Sequence, residues 1–271
     1  MRKVRSRHDK QEYALKSYAP TSNSNNIRQE IGIMQKCSNS SYVAQLRDAY
    51  HNEQTHEYHL VMSPVAPWDL RKRIQKQYDT PRMEYISQAF ADRAFLQLLT
   101  GLDEIYQVYQ VRHKDIKPQN ILVTAEENLL YSDFGLAIDF SSADNATTHN
   151  GGCGTRFYAP PEIINNQPRN QKSDVFSLGC VLFEILLARS AWVTGDQSWW
   201  KHTLYSSDTA QYKDFYLRSH EGDIDKTLDR MLAEEKLKAL HRYIPLVKRM
   251  TKYTRDARPD ASNVLRDLKQ G

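Results

Sequence analysis

His113-Lys114-Asp115-Ile116-Lys117-Pro118-Gln119-Asn120 is followed, thirteen residues after its asparagine, by Asp133-Phe134-Gly135. Within these two short stretches, the carboxylates of Asp115 and Asp133, the ammonium of Lys117 and the amide of Asn120 come in an order that suits phosphoryl transfer. That chemistry needs a carboxylate to orient an attacking hydroxyl. It needs hard oxygen ligands for Mg²⁺ and a cation to offset charge on the moving group. Loops with Asp and Asn are common, and Asp-Phe-Gly alone carries little; the ordered pair at this separation is specific.

Working outward toward the N-terminus, residues 11–18 (QEYALKSY) alternate as a strand does, and residues 21–26, rich in Ser and Asn, read as a loop. Ile27, Ile31 and Met34 recur at helical spacing. Two strand-like runs follow at 43–50 and 58–62, separated by the polar turn HNEQTH. Residues 1–62 therefore predict a small sheet carrying one helix. Ser63-Pro64-Val65-Ala66-Pro67 then interrupts regular hydrogen bonding and marks a hinge over 63–69. Residues 70–271 read as mostly helical. Phe90, Ala94, Leu98, Leu102 and Ile105 form one stripe on a long helix over 84–109. Strands and loops cover 111–140, a polar loop covers 141–154, and helices dominate from Ser173. The predicted fold is α+β and bilobal, a single domain over 1–271, with a ligand site in the cleft between lobes.

Composition narrows the alternatives. Lys and Arg number 37 against 33 Asp and Glu, for a formal charge of +4. The basic clusters are short: Arg2, Lys3, Arg5, Arg7, and later Arg71, Lys72, Arg73. They read as solvated faces, with no nucleic-acid partner expected. Cys37, Cys153 and Cys180 are widely spaced without a CxxC pair, so neither a disulfide framework nor a zinc site is expected. That suits a reducing, intracellular setting, cytoplasmic or nuclear. The longest apolar run, 175–188, is broken by Glu184 and reads as a buried helix, so no membrane partner is expected.

With these residues in view, the chain resembles a eukaryotic-type serine/threonine protein kinase domain. Three further motifs carry the resemblance: Tyr158-Ala159-Pro160-Pro161-Glu162, which ends the activation segment in that family; Ser173-Asp174-Val175 with Gly179, which opens its central helix; and Arg258, which pairs with the motif glutamate, here Glu162. The resemblance implies ATP and Mg²⁺ as cofactors, a protein substrate, and a monomer. It implies Asp115 as proton acceptor, Lys117 as the cation on the γ-phosphate, and Asn120 and Asp133 as metal ligands. It implies Lys16, in Ala14-Leu15-Lys16, on the α- and β-phosphates, with Glu30 as its partner across a somewhat short interval. Ala14, Val65 and Leu122 would enclose adenine, and Met62 would gate the back of the pocket. Asp69 would take the ribose hydroxyls or else cap a helix. Thr155 would bond near Asp115 and Lys117 or else cap the helix near Pro161. Met34, Leu46, His113 and Phe134 would stack between the lobes, anchored by Asp174, with His113 a packed structural residue. Lys117 two positions after Asp115, and Gly154-Thr155-Arg156-Phe157-Tyr158, imply the serine/threonine class.

Departures from the family pattern carry their own expectations. Fifteen residues precede Lys16 and none is glycine, and Arg2 to Arg7 resembles the strand that follows the glycine-rich loop. The domain is expected to be N-terminally truncated, with that loop absent and ATP held more weakly. Lys114 replaces an arginine that clasps a loop phosphate in the family, which implies weaker dependence on phosphorylation at Thr147 and Thr148. Gln119 implies no strong selection for arginine just before the phosphorylated residue. Phe176 stands where tryptophan is common, and Trp192, Trp199 and Trp200 are expected to pack in the core. The competing reading is a catalytically weak or inactive pseudokinase that acts as a protein-binding module. A small-molecule kinase is disfavoured by residues 155–162.

Overall fold

The computed structural model describes residues 1–79, 86–141, 158–196, 198 and 222–270. Cys153, Thr147, Thr148, residues 154–157 with Thr155, Trp199 and Trp200 lie outside the described residues.

The small lobe is an antiparallel sheet of β1 (Arg2–Arg5), β2 (Glu12–Tyr18), β3 (Gln45–Asn52) and β4 (Glu57–Ser63), in the order β1-β2-β4-β3. Alternation in β2 sends Leu15 and Lys16 to opposite faces. Helix α1 (Ser24–Lys36) packs on the Lys16 side and buries Ile27, Glu30, Ile33 and Met34. It starts inside the stretch read as a loop because Asn23 is its N-cap, its side chain accepting the Asn25 N–H. Ser and Asn favour turns and helix caps alike, so composition alone missed this start.

After the Ser63–Pro64 junction, β5 (Trp68–Asp69) leads into α2 (Leu70–Asp79). The long helix α3 (Gln88–Gln107) begins at an N-cap, Ser87, whose Oγ accepts the Phe90 N–H at 3.0 Å. That cap shortens the predicted 84–109 helix. Its stripe holds: Phe90, Ala94, Leu98 and Ile105 are 0% exposed. Four short strands follow, β6 (Val111–Arg112), β7 (Ile121–Val123), β8 (Leu129–Tyr131) and β9 (Ile138–Asp139), with β5-β7-β8 in one sheet and β6-β9 in another.

The large lobe is completed by α4 (Pro161–Ile164), α5 (Gln171–Thr194), α6 (Gly222–Ala233), α7 (Ile244–Met250) and α8 (Ala261–Gln270). Among the described residues, α5 is the one helix long and apolar enough to cross a membrane, but 89% of its apolar window is buried inside the protein. It is the axis of the core. Gly179 permits its contact with α7: a Cβ there would stand 2.9 Å from Met250 Cβ and from Thr251 Cγ2. Trp192, expected in the core, is 50% exposed. It sits in the last turn of α5, past the stretch that neighbouring helices surround.

The solvated reading of Arg71 and Arg73 is also corrected. Arg71 lies inside, bonded to Glu184 at 3.1 Å and to the Tyr158 phenol. Arg73 bonds Glu127 at 2.9 Å and lies over the Phe90 ring. A buried carboxylate requires a partner, and Glu184, at 0% exposure, draws Arg71 in from α2. Lys72, between them, stays in solvent with its side chain 68% exposed.

Candidate active site

The loop between β6 and β7 hangs from α5. The Asp174 carboxylate accepts the backbone N–H of His113 at 2.8 Å and of Lys114 at 2.9 Å. Burial pushes the Asp174 carboxyl up, against the pull of these two amides. His113 is fully buried; its Nδ1 accepts the Asp115 N–H at 3.3 Å, and its Nε2 lies 3.1 Å from the Ser132 carbonyl. Those partners put the ring proton on Nε2. His113 also packs on Phe134, with centroids 4.8 Å apart. It is the packed histidine the sequence implied, and it splints this loop to the one carrying Asp133. Met34 and Phe134 are buried in the same apolar cluster, and Leu46 packs against it.

Asp115, Lys117 and Asn120 form a bonded group. Lys117 Nζ is 2.7 Å from Asp115 Oδ2, and Asn120 Nδ2 donates to the same oxygen and to the Asp115 carbonyl, both at 2.9 Å. The Asn120 carbonyl accepts from the Ser132 N–H at 2.9 Å, which ties the two loops together. Lys114 and Asp133 both take positive φ, 67° and 63°, a region costly for residues other than glycine. Such conformations persist where surrounding bonds over-determine them, as Asp174 does for Lys114.

From the small lobe, Lys16 Nζ reaches Glu30 Oε1 at 2.7 Å and Asp133 Oδ1 at 2.9 Å. Burial alone would depress the Lys16 ammonium; Glu30 and Asp133 outweigh it and raise it. For Asp133 burial also opposes charge, and Lys16 together with the Gly135 N–H holds its carboxyl below the usual value. The second Glu30 oxygen accepts from the Tyr18 phenol. Sequence reasoning missed Tyr18; its place two residues after Lys16, on the same face of β2, was the available signal.

A cavity of about 480 Å³ brings Lys16, Glu30, Asp115, Asp133 and Gly135 together. A second, of about 370 Å³, is lined by Ala14, Val65, Asp69, Asn120, Leu122 and Asp133, so Asp133 borders both. Met62, 5% exposed and paired with Ala14 across β2 and β4, lines neither of these two. Asp69 does cap: its Oδ1 accepts the Lys72 N–H at 2.9 Å, while its side chain also borders the second cavity. The donor set fits Mg²⁺, which takes one or two carboxylates and completes its shell with phosphate and water. Asp133 offers a 44% exposed carboxylate. Asn120, its amide nitrogen bound to Asp115, keeps Oδ1 for a cation.

Lys114 faces the wrong charges. Burial, with Arg169 and Arg112 close by, pushes its ammonium down to about 8, against the pull of Asp174. In the unfolded chain a lysine titrates near ~10.4. Between those values the unfolded state binds more protons, so stability rises with pH through that window. Below about 8 the folded chain bears the full cost of the buried charge. In Lys114→Met this rise is expected to vanish, so urea midpoints of the two proteins should diverge in favour of wild type from pH 7.5 to pH 10. A difference independent of pH would count against the assignment.

The sequence profile of the protein kinase domain matches residues 1–268. Serine/threonine-protein kinase Nek6 of Oryza sativa subsp. japonica is 36% identical over 170 residues, 63% of this chain and 30% of that protein. Serine/threonine-protein kinase nekl-2 of Caenorhabditis elegans is 32% identical over 166 residues, 60% of this chain and 44% of that protein. Serine/threonine-protein kinase Nek1 of Mus musculus is 31% identical over 199 residues, 71% of this chain and 16% of that protein. The chain spans less than half the length of each of these relatives.

Proposed function

Since this chain belongs to the protein kinase family, we propose that it phosphorylates serine and threonine side chains of protein substrates with ATP as donor. One observation carries the reading: Asp115 and Asp133, eighteen residues apart, border a single cavity with Lys16 between the lobes. The serine/threonine class is supported by Lys117 beside Asp115 and by the names of the relatives.

In this reading Mg²⁺ and ATP supply the transferable phosphoryl group and the neutralisation of its charge. Lys16, set by Glu30, binds the inner phosphates, while Asp133 and Asn120 hold the metal. Ala14, Val65 and Leu122 enclose the base, Met62 gates the back of the pocket, and Asp69 takes the ribose hydroxyls. Asp115 accepts the proton of the attacking hydroxyl. Lys117 keeps Asp115 oriented in the resting state and turns to the phosphoryl oxygens as charge develops. Six polar residues are retained in two bonded groups, Lys16 with Glu30 and Asp133, and Asp115 with Lys117 and Asn120, tied together where Ser132, next to Asp133, donates to the Asn120 carbonyl. That retention favours an enzyme over a pseudokinase that serves only as a binding module. The proposed setting is intracellular, cytoplasmic or nuclear, on the cysteine content alone.

Thermal shift with MgATP tests binding. A ligand at about a hundred times its Kd stabilises by about 2.7 kcal/mol, so the wild-type midpoint should rise while Lys16→Ala and Asp133→Asn show little rise. Labelled phosphate should then move from γ-labelled ATP to serine or threonine in a peptide library. Binding without transfer would favour the pseudokinase; no binding at millimolar MgATP would remove the nucleotide reading altogether.

A further inference from the structure

The cavity that holds Asp115 and Asp133 has a second wall, which the activity so far described does not use. The connection from β2 to α1 is only five residues, 19–23. This short span brings Ser22, Asn23 and Asn26 to the cavity edge facing Lys16, Asp115 and Asp133. Among the described residues, the one ammonium that lines this cavity, Lys16 on the far wall, is shared between Glu30 and Asp133. The near wall offers neutral donors. Asn26 is exposed, and its side chain makes no hydrogen bond among the described residues. Asn23 spends Oδ1 on the Asn25 N–H, which leaves its Nδ2 amide hydrogens to donate.

An anion entering this cavity meets carboxylates on one side and amide donors on the other. Phosphate oxygens not bound to metal are strong acceptors, and a neutral amide can bind them without adding charge to balance. We propose that Asn26 and Asn23, at the start of α1, donate hydrogen bonds to the terminal phosphate oxygens of the bound nucleoside triphosphate. This rests on the nucleotide reading above and adds a contact from the helix that carries Glu30. Nucleotide binding and Glu30 placement are thereby coupled through one rigid element.

Calorimetric titration of MgATP and of adenosine into wild type, Asn26→Asp, Asn23→Asp and Asn25→Asp tests the proposal. Asp at position 23 keeps the cap acceptor, and acidic residues suit the first helical turn, so the variants should fold. Asn25 is exposed in the same turn and lies outside the cavity lining, so it serves as control. Losing a hydrogen bond to a charged group and gaining repulsion should weaken MgATP about tenfold or more in Asn26→Asp. Asn23→Asp should weaken it in the same direction, while adenosine affinity stays at the wild-type value in both. Asn25→Asp should match wild type for both ligands. The proposal is overturned if Asn26→Asp binds MgATP like wild type, or loses MgATP and adenosine to the same degree. Folded wild type that binds neither ligand would overturn the nucleotide reading itself, a result distinct from the failure of Asn26 alone.

Discussion

Asp115→Asn should lower kcat by about 10²–10⁴-fold, the usual worth of a positioned acid or base, while the KM for MgATP changes little. The asymmetry follows from the bonding. Asp115 Oδ2 accepts from both Lys117 and Asn120, and its backbone N–H rests on His113. An asparagine can present its carbonyl oxygen to the same donors, so the loop should keep its shape. It cannot accept the hydroxyl proton. Nucleotide contacts assigned to Lys16 and Asp133 come from other elements and should persist. The decisive measurement is steady-state phosphotransfer beside MgATP titration of the same preparation. Activity within a few-fold of wild type would remove Asp115 from its role. Joint loss of transfer and binding would mean the substitution had disrupted the loop instead.

The largest stability effect is expected at Arg258. Its guanidinium meets Glu162 through two parallel bonds, at 2.7 and 2.8 Å, and the side chains are 0% and 4% exposed. It also donates to the Lys252 and Tyr253 carbonyls and lies over the Phe176 ring at 4.7 Å. Glu162 accepts in addition from Ser173 Oγ at 2.7 Å. Removing one partner of such a pair strands a buried charge, at a cost of about 3–5 kcal/mol. Arg258→Ala should therefore lower the midpoint of thermal unfolding by on the order of ten degrees. Arg258→Lys should recover only part, since an ammonium cannot make the paired fork. The double variant Glu162→Ala with Arg258→Ala should lose less than the two single losses added together. Strict additivity would mean that the two residues do not act as a pair.

The catalytic stretch was legible because its chemistry is compressed. Asp115, Lys117 and Asn120 sit within six residues, and their bonds are local. The Glu162–Arg258 pair spans ninety-six positions and was reached only through the family pattern. Arg71 shows what pattern reading loses. In sequence it is one of three consecutive cations, indistinguishable from Lys72, and its partner Glu184 lies 113 positions away on a helix that otherwise reads as plain apolar core. Glu184 was visible as an interruption, but only packing reveals what neutralises it. The start of α1 was misjudged for a local reason, since Ser and Asn serve caps and loops equally. Trp192 was misjudged for a global one, since an aromatic at the end of a core helix can fall on either side of the boundary.

Both amides at the head of the catalytic loop are gripped by Asp174, a residue of the central helix. Asp115 is thus mounted on the same beam as the rest of the large lobe, whereas Lys16 and Glu30 belong to the upper sheet and its helix. Rocking the lobes apart stretches the Lys16–Asp133 link and leaves the Asp115–Lys117–Asn120 geometry as it stands. For the proposed phosphotransfer, such an opening would release nucleotide without dismantling the end of the site assigned to the hydroxyl substrate.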